Sequence, residues 1–191
     1  MSANRLDVRP LTPGNWHDLE AVLGANGGAR GCWCMHWRLS ISEWMENKGD
    51  GNREALRELA SKEPAPGLIA YRDGEPMGWC LLGPRSAFPR LERSTHLAPI
   101  DNEPVCAIVC LFIHRKHRRA GLLTELLDAA SGFAASNGYN VVEGYPVDPP
   151  AGKKAGSDTV MTGIASVFLS AGFTEVARPK ADRPIMRRFV S

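Results

Sequence analysis

Residues 105–127 read VCAIVCLFIHRKHRRAGLLTELL, and the fold follows outward from them. Residues 105–113 are apolar throughout, so a strand here needs cover on both faces, as a central strand between two layers of helices does. Four of the five positions from Arg115 to Arg119 are Arg or Lys. Gly121 then opens an amphipathic helix. Leu122, Leu126 and Phe133 share one line, Leu123, Leu127, Ala130 and Ala134 lie beside it, and Thr124, Glu125, Asp128 and Ser131 face away. Gly138 stands where a terminating glycine belongs. The first N–H groups of a helix have no internal partner, and with the helix dipole they attract an anion. Gly121 lets backbone approach a ligand closely. The turn is therefore a candidate phosphate or pyrophosphate site, and the competing reading is a solvated basic turn before a helix.

Upstream, residues 67–72 and 76–82 are short apolar runs joined around Asp73-Gly74, a hairpin signal. Residues 83–104 hold prolines and charges without a period, a long loop of the kind that carries function. Residues 5–11 alternate as a half-buried strand. Thr12-Pro13 starts a helix through Trp16, Leu19, Val22 and Leu23. A glycine-rich turn over 24–31 leads to Cys32-Trp33-Cys34-Met35-His36-Trp37, and residues 42–48 and 53–61 have helical character. Downstream come a strand at 139–145, a Pro/Gly loop with Lys153 and Lys154, a helix at 159–171 ending at Gly172, and strands at 173–177 and 184–190. The order, β-α-α-β-β-β-α-β-α-β-β, predicts one α/β domain over residues 1–191. Its sheet is mixed and mostly antiparallel, with six to seven strands and helices on both faces.

Bulk properties agree. The chain has 191 residues, 43% hydrophobic and 23% charged, enough for one core without staples. A net charge of +2 gives no basic stripe for nucleic acid. No stretch approaches the roughly 18 apolar residues of a membrane span, and residues 1–7 have no leader-like apolar run. Five cysteines, an odd number, read as reduced thiols in a cytoplasmic protein.

The run Arg118-Arg119-Ala120-Gly121-Leu122-Leu123 resembles the signature of the GNAT superfamily of acetyltransferases: Gln or Arg, two residues, Gly, one residue, then Gly or Ala. Arg118 and Gly121 match, and Leu123 departs from the final small residue. Residues 167–176, with Gly172-Phe173, are similar to the family's last helix and following strand, and the element order agrees from Arg5 to Val190. The resemblance implies an acyltransferase that uses acetyl-CoA as cosubstrate. Arg118 and the backbone of Arg119, Ala120, Gly121, Leu122, Leu123 and Thr124 would hold the pyrophosphate. Leu111 and Ile113 would offer strand backbone to the pantetheine, in a splay between their strand and residues 139–145. An amide near Leu111 would polarise the thioester carbonyl, and the amine would attack without an acyl-enzyme.

Direct attack needs a proton acceptor for the amine. The family often places a tyrosine acid four residues before the glycine of the last helix, and here that position is Phe168. Glu143 is the candidate base, with a structural Arg-paired carboxylate as the other reading. Tyr145 shares its face and is the candidate substitute acid. Trp33, Cys34 and Trp37 are candidate walls for an apolar or cationic acceptor, and aromatic core packing is the alternative. Cys-x-Cys-x-His offers soft ligands, but a fourth is missing, so no metal is expected. The expected function is N-acetylation of a small-molecule amine, and a homodimer is compatible with it. The alternatives are a protein or peptide N-acetyltransferase, or a non-catalytic acyl-CoA-binding or Cys-x-Cys metal- or thiol-sensing module.

Overall fold

In the computed structural model, which describes residues 6–118, 121–150, 152, 156 and 160–190, strand β4 (Val105–Ile113) is buried at every position but Phe112. Before it come β1 (Asp7–Pro10), α1 (Trp16–Leu23), α2 (Ile41–Glu46), α3 (Asp50–Leu59), β2 (Gly67–Arg72), β3 (Glu75–Pro84) and α4 (Pro89–Glu92). After it come α5 (Leu122–Ser136), β5 (Val141–Gly144), α6 (Ala165–Ser170), β6 (Thr174–Lys180) and β7 (Arg183–Phe189). The sheet has seven strands in the order β1-β2-β3-β4-β5-β7-β6. Every neighbouring pair is antiparallel except β4 and β5.

Each face of the sheet buries its own apolar cluster. On one face Ala107, Val109, Cys110, Tyr145 and Ile185 pack with Trp16, Leu19 and Leu56 of α1 and α3. On the other, Ile108, Leu111, Ile113, Val142 and Met186 pack with Leu126, Ala130 and Phe168 of α5 and α6. This is the two-layer covering that an all-apolar central strand demands.

Local signals explain most boundaries. Ser40 and Glu43 form a reciprocal capping box at α2, with Glu43 N–H donating to Ser40 Oγ at 3.2 Å and Ser40 N–H to Glu43 Oε2 at 2.9 Å. Asp73 and Gly74 both have positive φ, +53° and +80°, the tight-hairpin conformation. Helix α5 ends in paired bonds, Tyr139 N–H to Ala134 O and Gly138 N–H to Ala135 O, around a left-handed Gly138.

Three differences from the sequence reading matter. Gly49, at φ +89°, separates α2 from α3, so three helices lie between β1 and β2. The 83–104 loop contains the single turn α4. The last helix begins only at Ala165, after a 3₁₀ turn at Val160–Thr162 and a left-handed Gly163.

Strands β4 and β5 stay together for only four residues, Val105–Ile108 against Val141–Gly144. Their parting has three local causes. The β3–β4 register slips: Leu81 faces Cys110 and Leu82 faces Ile108. Val109 is thus left as a bulge, so Val109 and Cys110 share one face and the strand bends. Pro146 lacks an N–H and holds Tyr145 extended, which stops a longer ladder. Gly144 admits the ring of Phe168, since a Cβ there would lie 2.2 Å from Phe168 Cε1. Gly144→Ala is therefore expected to lower the unfolding free energy by about 1–3 kcal/mol through overpacking. Urea unfolding would show this, and an unchanged midpoint would contradict the Phe168 packing.

Candidate active site

Past Ile108, β4 runs on without β5 beside it. The His114 N–H donates to Met77 O at 2.8 Å, toward the β3 side. Strand alternation then turns the peptide groups of Ile113 and Leu111 toward the vacated β5 side. Arg118 Nε already donates to Ile113 O at 3.1 Å. Leu111 is therefore the rung next in line for a ligand. Beneath it sit Phe168 and Gly163, where a Cβ would come 3.1 Å from Leu111 Cδ1 and 2.6 Å from the Phe168 ring. Phe168 stacks edge-on against Phe173 at 4.9 Å, so it is a packing residue with no proton to give.

At the far end of this edge lies the basic turn. Arg115–His117 form a 3₁₀ turn, and Gly121 takes a left-handed φ of +72° as the N-cap of α5. A Cβ on Gly121 would meet nothing within 4 Å, so glycine is required there by backbone conformation rather than by space. Among the described residues no side chain caps the helix. The Thr124 N–H closes back on Gly121 O at 3.2 Å. Among the described residues, that leaves the amides of Leu122 and Leu123 at the helix start for an anion. Arg118 bonds to the strand carbonyl and lies 6.0 Å over the Phe112 ring, which fastens the turn to β4. Burial, then the charges of His117, Lys116, Arg115 and Arg118, lower the pKa of His114, a local reading of the positive potential. Arg119 and Ala120, both expected here, lie outside the described residues.

Glu143, on β5 beside the parting, is 1% exposed. It accepts hydrogen bonds from Tyr145 Oη at 2.6 Å, Arg187 Nε at 2.6 Å and Arg85 Nη1 at 3.3 Å. Arg85 Nη1 also donates to Tyr145 Oη at 2.9 Å, and its Nε pairs with Glu92 at 2.7 Å. Arg187 grips Asp101 with both terminal nitrogens, at 2.6 and 2.9 Å, and so holds that carboxyl below the usual range. A chain of alternating charge thus runs Glu92–Arg85–Glu143–Arg187–Asp101. Register builds it: Ala107, Glu143 and Arg187 are direct neighbours across β4, β5 and β7. Burial, followed by the Glu143 charge, pushes the Tyr145 hydroxyl well above its ordinary pKa, so it keeps its proton. The network also ties down the 83–104 loop, because Arg85 donates to the carbonyls of Leu91 and Leu97. Glu143 therefore has the arginine partners that a structural role requires, and it has them next to the point where β4 and β5 part.

The Cys32–Trp37 segment crosses the same face. Trp33 is buried, stacked on Trp16 at 6.1 Å and pressed on Gly27, where a Cβ would lie 2.5 Å from its indole. Its side chain belongs to the core, as does that of Cys34, whose Sγ lies 3.2 Å from Cys110 Sγ. That contact and burial raise the Cys34 pKa, so the thiol stays protonated. Trp37 is half-buried against the same cluster, edge-on to His36 at 5.2 Å, and its indole N–H has no partner among the described residues. Cys32, Cys34 and His36 do not converge, and no group of three His, Cys, Asp or Glu among the described residues is arranged to hold a metal. No helix among them is long and apolar enough to cross a membrane.

Sequence reasoning did not pick out Arg85, Arg187 or Asp101. The one available signal was a basic residue in the alternation of the closing strand. Its position opposite Glu143 depends on a register that no local pattern reveals.

The model of the acetyltransferase (GNAT) family matches residues 33–151, well over half the chain, from the Trp33 turn to the end of β5 and beyond. The GNAT domain of S. lividans PAT aligns with a TM-score of 0.53 at 14% identity, over 96% of this chain and 89% of that one. PaiA N-acetyltransferase from Thermoplasma acidophilum, solved in complex with coenzyme A, gives 0.53 at 15% identity over 97% and 99%. The aminoglycoside N-acetyltransferase AAC(6')-Iy, in complex with CoA, gives 0.55 at 14% identity over 92% of each chain. At such identities the likeness is one of fold. No curated protein matches the sequence significantly.

Removing the anion from between two buried arginines should be costly. Glu143→Ala is expected to destabilise the protein by about 3–5 kcal/mol, read by chemical denaturation. A loss below about 1 kcal/mol, the scale of an exposed pair, would show that the network is not the buried unit described.

Proposed function

We propose, for a chain that belongs to the acetyltransferase (GNAT) family, that it transfers the acetyl group of acetyl-CoA directly to the amine of a small molecule. One observation carries the reading: the strand edge freed by the parting of β4 and β5 leads into the basic 3₁₀ turn Arg115–His117, shortly before a 15-residue helix.

The residues fit the cosubstrate. The peptide group of Leu111 would hold its amide-bearing arm, beside an Ile113 carbonyl already taken by Arg118. The amides of Leu122 and Leu123, with Arg118 and Gly121 nearby, would hold the diphosphate, while the Thr124 amide closes on Gly121 O. Arg119 and Ala120 complete that turn in sequence. Acetyl-CoA supplies the acetyl group as a thioester, and its carbonyl needs a fixed donor where charge develops. The Leu111 amide is assigned that task.

Proton handling falls to the pair next to the parting. Tyr145 Oη keeps a proton between Glu143 and Arg85, and it follows Gly144 directly. Tyr145 is assigned as the acid in place of the phenylalanine at 168. Glu143 Oε1 accepts from Tyr145 Oη and is assigned the uptake of the proton that the amine releases. A small acceptor is favoured because the 83–104 loop is fastened over this face at Leu91, Leu97 and Asp101, where a peptide groove would need open surface. Trp37, only half-buried, is assigned as a wall for an apolar or cationic acceptor.

Coenzyme A at 100 times its Kd is expected to stabilise the protein by about 2.7 kcal/mol through mass action, seen as a rise in melting temperature. Gly121→Glu places a side chain at φ +72° and a negative charge at the turn, and should abolish that rise. A full response in the variant would move the site elsewhere. Tyr145→Phe should lower kcat by about 10²-fold while the KM for acetyl-CoA stays within about twofold. An unchanged kcat in steady-state assays would remove Tyr145 from the chemistry.

A further inference from the structure

Arg85 and Arg187 are each matched by carboxylates. Arg38, on the same side of the sheet, meets none among the described residues. It follows the 3₁₀ turn Met35–Trp37, and its guanidinium lies 4.7 Å over the ring of the fully buried Phe88. Nη1 makes one long bond, 3.4 Å, to Ala87 O. Nε is buried with no partner. Nη2 points toward Gly83, 3.8 Å from where a Cβ would sit. Burial alone pushes the pKa down to about 10, so the group is charged at neutral pH without a counter-ion.

That arrangement is unfavourable by itself. A guanidinium taken out of water without an anion leaves solvation uncompensated, and an arriving anion recovers it. The unused donors also specify shape. Nε–H and Nη2–H lie side by side and form the fork that grips both oxygens of a carboxylate.

The position relates this fork to the reacting centre. Gly83 pairs with Ala107, and Ala107 with Glu143, so Arg38 lies over the strand row that contains the proposed proton acceptor. Two strand spacings, about 10 Å, separate Gly83 from Glu143, and β4 and β5 part just past the next rung, Ile108–Gly144. An acceptor with its amine at the parting can extend its other end toward Arg38.

We infer that the acceptor is an amino acid in the broad chemical sense, an amine carrying a carboxylate a few bonds away, with that carboxylate bound by Nε and Nη2 of Arg38. This rests on the acetyl-transfer reading, and it narrows the substrate class from any amine to anionic ones.

The test uses matched ligands of the product class: N-acetylglycine, N-acetyl-β-alanine and N-acetyl-γ-aminobutyrate, each beside its carboxamide. Binding to the full-length protein is measured by titration calorimetry with and without coenzyme A. At least one carboxylate is expected to bind about tenfold or more tighter than its amide, the scale of a charge-assisted bidentate contact. Arg38→Met should erase the preference, and Arg38→Lys should keep part of it. Without ligand, Arg38→Met should unfold at the same urea concentration as the wild type or a higher one, because the uncompensated charge is gone. The inference is overturned if no pair shows a carboxylate preference, if the preference survives in Arg38→Met, or if the unliganded variant is less stable. Failure of coenzyme A itself to bind would instead defeat the acetyl-transfer reading, whatever the carboxylates do.

Discussion

Strand β4 leaves its parallel neighbour after four paired residues, and the rest of the site depends on that separation. A strand edge inside a protein normally finds a partner, because unpaired peptide groups away from water carry a free-energy cost. Here the partner is displaced by a bulge at Val109, by Pro146 just beyond β5 and by the Phe168 ring seated against Gly144. The edge remains fixed because β4 is held from both sides, by the α1 and α3 layer on one face and by α5 and α6 on the other. Rigidity around a strand edge that has no strand beside it is what a binding slot for an extended, amide-bearing molecule requires.

Charge is organised around the same point. Glu143 lies between Arg85 and Arg187, and these two arginines reach out to Glu92, Asp101 and the carbonyls of Leu91 and Leu97. The network couples the end of β5 to the loop that covers it. Structural and chemical roles need not compete at Glu143: the arginines that make its burial tolerable also fix the hydroxyl of Tyr145. Arg38 is the contrasting case, a cation of the same face with no anion set against it among the described residues.

The readable parts of the molecule were those with local signals. An all-apolar run announced β4, the apolar spacing announced α5, Gly138 ended it, and Asp73-Gly74 turned the hairpin. The expectation of an anion site at the turn rested on local chemistry, and its assignment to coenzyme A on the resemblance of Arg118 to Leu123. Features set by distant contacts were not readable. The bulge at Val109 exists only relative to β3. Arg187 faces Glu143 only through the β5–β7 register. Trp33 and Cys34, expected at the acceptor wall, turn inward because Trp16, Gly27 and Cys110 wait there. The single turn α4 is too short for periodicity to reveal.

The most direct measurement is a crystal structure of the protein with coenzyme A bound. The account predicts the pantetheine arm in the gap between β4 and β5, hydrogen-bonded to the Leu111 backbone, with its diphosphate on the amides of Leu122 and Leu123. Coenzyme A bound elsewhere, or a gap that stays closed over Leu111 in the complex, would contradict it.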